Sequence, residues 1–229
     1  MAQCGLTSFE AGGCITDDPI LAAAMPVGTP EEWSAPRYLD HRPYCLEPND
    51  QGFTSTCVGQ AVAGWIEVHN WLTSHVADQE DGFQIYSEAK EDDPFPGEDG
   101  TSLMAGFHAA QRLALLPADA AAQRVQSLLD LKFALHRDRV VVGSFEATAG
   151  WNSTSSEDGL IGSDNQVLGG HAVLICYYSD QSETIGWQNS WGPEWGVSGF
   201  GRMTYPQFSS QWAGGVSIEY RQGMGWWGI

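Results

Sequence analysis

Residues 187–203 contain the run Trp187-Gln188-Asn189-Ser190-Trp191-Gly192-Pro193-Glu194-Trp195-Gly196, and then Gly199-Phe200-Gly201-Arg202-Met203. Glycine and proline punctuate it into turns. Residues 182–190 and 199–204 therefore read as short strands on either side. Upstream, Gly169-Gly170-His171-Ala172-Val173-Leu174 opens an apolar run to Tyr178 that reads as a buried strand. Segments 140–145 and 216–220 read the same way. The first half carries a different period. Val58, Val62, Trp65, Ile66, Leu72 and Val76 recur at helical spacing, with Ser55 and Thr56 as capping candidates just before them. Further helices are expected over 102–116, stopped by Pro117, and over 120–136. The acidic segment 91–100 between the first two reads as a solvated loop. Helices first and strands second make an α+β chain of two lobes. The helical lobe covers about 50–118 and the strand-rich lobe about 139–220.

The composition narrows the function. The 229 residues carry 29 Asp and Glu against 10 Lys and Arg, a net charge of −19. That field repels phosphate backbones and anionic lipid surfaces, so nucleic acid and membrane are not expected as partners. No stretch is long enough for a membrane helix, and no basic residue precedes Arg37 to form a secretory signal. The five cysteines, Cys4, Cys14, Cys45, Cys57 and Cys176, show no metal spacing. Free thiols in a reducing compartment are the simplest reading, with a Cys4–Cys14 pair as the alternative in an oxidising one. Cys176 lies within an apolar run and reads as a core thiol. Neither Asp92-Asp93 nor Glu98-Asp99 has the spacing of a cation site. No cofactor or metal is expected.

Cys57 stands at the start of the helix that opens near residue 57. There, unpaired amide N–H groups and the helix dipole favour a thiolate. A histidine able to take its proton would complete an activated nucleophile. By itself, a cysteine at a helix start is more often a small core residue.

Its surroundings change that weighting. The run Gln51-Gly52-Phe53-Thr54-Ser55-Thr56-Cys57-Val58-Gly59 resembles the nucleophile motif of the papain-like cysteine peptidases, with Gln six residues before Cys. Gly169-Gly170-His171 resembles the family's base strand, and Asn189-Ser190-Trp191-Gly192 with the following Trp-Gly and Gly-aromatic segment resembles its asparagine motif. The order Gln, Cys, His, Asn is the family's, and the resemblance spans roughly residues 36–220. It implies a papain-like two-lobed fold and peptide hydrolysis through an acyl-enzyme. Cys57 would be the nucleophile, His171 the base and then the acid, and Asn189 the residue orienting the ring. Trp191 would shield that bond, and Gln51 would line the oxyanion hole with the Cys57 amide. The chain departs from the family at Thr54 and Val58, where Cys and Trp are common. The interval from Cys57 to His171, 114 residues, is short for the family.

Residues 1–35 read as an arm, too short to form the domain with which family members block their own clefts. Residues 221–229, with Trp226-Trp227, read as an aromatic tail. Arm and tail motivate a rival reading, a papain-like component of a larger assembly such as a virus particle. There it would serve for binding or cleave a cell-wall or assembly peptide. The expected partner of the cleft itself is a peptide or protein substrate.

Overall fold

The computed structural model describes residues 12–219. The expectations for Cys4 and its pairing, for the first eleven residues of the arm and for the tail lie outside them. In chain order the elements are α1 (Pro19–Ala23), β1 (Tyr38–Asp40), α2 (Cys57–Ser74), α3 (Gly82–Glu91), α4 (Leu103–Arg112), β2 (Ala121–Val125), α5 (Leu128–Asp138), β3 (Val141–Thr148), β4 (Val167–Ser179), β5 (Thr184–Gln188), β6 (Phe200–Thr204), α6 (Tyr205–Gln211) and β7 (Trp212–Glu219). The strands form one seven-stranded sheet in the order β2-β7-β3-β4-β5-β6, with β1 also on β4. Every ladder is antiparallel. This is the expected α+β architecture.

Two cores lie on the two faces of the sheet. On one, Val58, Val62, Trp65 and Ile66 of α2 pack with Leu103 and Phe107 of α4 and with Ala172, Leu174 and Cys176 of β4. On the other, Val173 and Ile175 of β4 join Phe145, Trp151, Trp187, Trp195 and Met203. Alternation along β4 is what lets one strand serve both. Trp65 is fully buried, and truncating a side chain of that size costs about 3–5 kcal/mol. Trp151 stacks near Trp187 with ring centroids 4.6 Å apart and donates its indole N–H to Gln211 Oε1 at 2.8 Å. The polar tip of this buried ring is therefore satisfied.

The structure corrects four local expectations. Residues 121–125 form a strand, because they pair with β7 from Ala121↔Glu219 to Val125↔Gly215. The helix then starts only at Leu128, behind a capping box of Ser127 and Asp130. α4 ends at Arg112, four residues early, and the chain turns through Ala114 at φ 57°. The acidic loop is solvated only in part: Asp93 is buried and pairs with Lys90 at 2.7 Å. Finally, no Ser55 or Thr56 side chain caps α2. Thr56 occupies the cap position without making that bond, so the first amides of the helix remain open to another acceptor.

Candidate active site

α2 and β4 bring the first two site residues together. Cys57 is the first residue of α2, and its Sγ accepts a hydrogen bond from the backbone N–H of Ala172, 3.4 Å away. Ala172 follows His171 on β4, so the thiol lies against the strand that carries the histidine. The β4–β5 register, Leu174 opposite Gln188, brings Asn189 back beside His171 just past the end of β5.

His171 Nε2 and Asn189 Oδ1 are 2.7 Å apart. The same Oδ1 accepts the Ser190 backbone N–H at 2.9 Å, which identifies it as the carbonyl oxygen of the amide. Nε2 must therefore be the donor, and Nδ1 is left as the basic nitrogen of the neutral ring. Nδ1 is buried and has no hydrogen-bond partner. Trp191 lies over the imidazole, ring centroids 4.7 Å apart, and Trp151 meets it edge-on at 5.6 Å.

Gln51 is buried beside the same turn. Its backbone N–H donates to Ser190 O at 2.9 Å, and its Oε1 accepts the Ser190 hydroxyl at 2.6 Å. Nε2 donates to Thr54 O at 2.6 Å, which uses one of the two donors of that nitrogen. All four residues singled out in the sequence are thus gathered between α2 and the β4–β5 end of the sheet.

The site is dry. Cys57 and His171 are each 0% exposed. Burial pushes the Cys57 thiol up to about 12, against the smaller opposing pull of the Ala172, Val58 and Cys57 amides. Burial likewise pushes His171 down to about 4, against the Asn189 bond. Desolvation outweighs the helix terminus here, and the pair is neutral. No hydrogen bond joins the thiol to the ring.

Part of what covers the thiol is the arm. Residues 12–16 run between the two lobes as a strap that bends at Gly13 and Thr16. Ile15 N–H donates to Thr101 O at 2.9 Å and Thr101 N–H to Gly13 O at 3.1 Å, while Cys14 N–H reaches Gly170 O at 3.2 Å on the other wall. Cys14 Sγ lies 3.1 Å from Ser144 Oγ. The passage is so tight that glycine is required at three points. A Cβ on Gly13 would stand 2.7 Å from Ser55 O and 2.8 Å from Cys57 Sγ, one on Gly100 2.8 Å from the Gly13 carbonyl, and one on Gly170 1.9 Å from Cys14 O. Short as the arm is, it reaches the candidate site, with Gly13 against Cys57 Sγ.

Solved structures share this fold. Xylellain, a cysteine protease from Xylella fastidiosa, superposes with a TM-score of 0.74 at 20% identity, over 92% of this chain and 96% of its own. The proCathepsin B S9 of Trypanosoma congolense superposes at 0.68 and 15% identity, over 92% and 87% of the two chains. The ragweed pollen allergen Amb a 11, a cysteine protease in its proform, does so at 0.67 and 16%, over 91% and 74%. The chain has the papain-like fold. No protein-family model and no curated relative matches its sequence.

Within this papain-like fold the sequence shows no sign of several residues that line the cleft: Thr101 and Ser144 lie against the strap, and Trp151 walls the imidazole. Gly170 lies within the His171 motif, but its contact with Cys14 is not legible there. Gly12-Gly13 reads in sequence only as a chain breaker, since the steric need for Gly13 arises from Ser55 and Cys57, more than forty positions away.

Proposed function

We propose that the chain is a cysteine-type peptidase hydrolysing peptide bonds through an acyl-enzyme on Cys57. The observation that carries this reading is the bond from His171 Nε2 to Asn189 Oδ1 at 2.7 Å. It fixes the tautomer that leaves Nδ1 basic, on the strand residue next to the amide that touches Cys57 Sγ. Once the site is uncovered and solvated, the thiol proton passes to His171. The thiolate attacks the substrate carbonyl, and the imidazolium returns the proton to the leaving amine. The ring then activates a water to release the acid. The Cys57 backbone N–H and the remaining donor of Gln51 Nε2 stabilise the oxyanion. Cys57, His171, Asn189 and Gln51 act in these four roles, and Trp191 keeps water from the His–Asn bond.

The direct test is hydrolysis of a fluorogenic peptide library by the full chain, followed for hours so that the covered thiol is sampled. Product should accumulate with wild type and stop with Cys57→Ala. Release that survives Cys57→Ala would end this reading.

A further inference from the structure

Two thiols away from the candidate site meet across the fold. β1 pairs with the C-terminal end of β4, with Leu39 opposite Tyr178 and Asp40 opposite Tyr177. One residue on, the His41 N–H donates to Cys176 O at 2.9 Å. The chain then leaves the sheet in a single 3-10 turn, Arg42–Tyr44, which Cys45 closes with its own N–H on Arg42 O at 3.0 Å. That turn carries Cys45 back against β4. Its side chain packs on the core that α2 shares with β4, the same core that holds Cys176. The two sulfurs are in hydrogen-bonding contact, and both are free thiols.

The surroundings hold this arrangement. Arg42 forks onto Asp40 at 2.9 and 2.7 Å, and its guanidinium lies 4.3 Å from the ring centroid of Tyr177. Downstream of Cys45 the chain runs to the candidate site. Leu46 O accepts Gln188 Nε2 at 2.7 Å, Asn49 O accepts the Gly192 N–H at 3.0 Å, and the Gln51 N–H reaches Ser190 O at 2.9 Å. The two thiols also differ in access. Cys176 is fully buried, and burial together with the adjoining Cys45 sulfur holds its thiol well above the ordinary value. Cys45 is only half-buried, so it is the member that an oxidant meets.

We propose that Cys45 and Cys176 are a redox-active dithiol that closes to a disulfide, with a small-molecule disulfide as oxidant, and fastens the segment leading to Gln51 onto the strand that carries His171. The Cys45 thiolate attacks one sulfur of the small disulfide, giving a mixed disulfide and one small thiol. The Cys176 sulfur then attacks the Cys45 sulfur, and the bond from Cys45 to the small molecule breaks. Each departing thiolate takes up a proton lost by a protein thiol. Two protein thiols are oxidised and one small disulfide is reduced to two thiols. The pairing is set by backbone register, unlike the Cys4–Cys14 pair that nearness in sequence suggests. It does not depend on the peptidase reading.

The test incubates the reduced full chain, under native conditions, with oxidised glutathione, and then blocks the remaining thiols with N-ethylmaleimide. Non-reducing peptide mapping reads the pairing, and the dominant linked peptide should join Cys45 to Cys176. Because the bond closes more than half of the chain into a loop, Tm should rise by roughly 5–15 °C. A dithiol reductant should reverse the rise. The Gln51 amide should exchange roughly ten-fold more slowly in the closed form. Cys45→Ser, treated alike, should show neither the link nor the rise. Should that variant fail to fold, wild type decides alone, since mapping, Tm and exchange need no substitution. A stable glutathione adduct at Cys45 with Cys176 still free would overturn the proposal. So would linkage confined to other cysteines, Cys4–Cys14 included, or a Cys45–Cys176 link that forms only in denaturant. Unchanged Gln51 exchange in the linked chain would overturn the fastening.

Discussion

Cys57 and Cys176 are equally hidden, each 0% exposed, and burial raises both thiols. What hides them differs. Cys176 sits in the middle of β4, within the core formed by the strand and α2, with Cys45 at its sulfur. Cys57 sits at a helix terminus with amides at its sulfur, and part of its cover is Gly13, a residue of a strap held by a few backbone bonds. Low exposure thus describes two conditions, a thiol inside a strand's core and a thiol at a helix start beneath a loop-like segment from elsewhere in the chain.

Substitution should separate the two thiols most strongly. Cys57→Ala should lower peptide hydrolysis by roughly a thousand-fold or more while leaving the denaturant midpoint nearly unchanged. Cys176→Ala should do the opposite, keeping the activity and losing about 1–2 kcal/mol of stability. Comparable losses of activity from both would mean that Cys57 is one more core thiol.

A smaller effect is expected at Gln51. Gln51→Ala removes an oxyanion donor and should cut turnover by roughly a hundred-fold with substrate affinity little changed. Its hydrogen bonds to Ser190 and Thr54 give it a structural role as well. Gln51→Glu keeps the acceptor for Ser190 and loses the donor. If both variants hydrolyse peptide at the wild-type rate, Gln51 only braces the loop.

The smallest expected effect is the response of folding stability to pH, and its sign follows from the two shifts. His171 is depressed from 6.5 to about 4 by burial in the folded chain. That burial contributes stability that is present above ~6.5 and lost as pH falls through about 4. Cys57 is raised from 9.0 to about 12, so its contribution is present below that ordinary value and lost as pH rises through about 12. The unfolding free energy should fall by about 1–2 kcal/mol from pH 7 to pH 5 in wild type, and by less in His171→Ala, read from denaturant midpoints. The same fall in both would mean that other groups carry the acid response.

How far the sequence reached depended on the range of the interactions involved. The apolar spacing from Val58 to Ile66 is a local signal, and α2 begins at Cys57 as that spacing requires. The site residues were legible because their motifs are short and each sits at the edge of such an element. Residues 121–125 were misread because Ala121, Ala122, Gln123 and Arg124 suit a helix. Pairing with β7, almost a hundred residues on, overrides that preference. Asp93 was read as solvated because nothing in the sequence shows that Lys90 closes over it, gathering in addition the Phe95, Glu98 and Gly100 carbonyls. The strap is the extreme case. Its contacts across the cleft join residues 12–16 to positions between 55 and 170, and none leaves a periodic trace.

The bonds that pin the arm to β2 and α4 also bear on the order of folding. Asp18 meets Met104, and Met25 meets Arg124, across long stretches of chain. Closing loops of that span must precede the contacts that reward it. The arm therefore docks after α4 and β2 are in place, and the Ile15 amide should gain protection from exchange later than the amides of α2 during refolding.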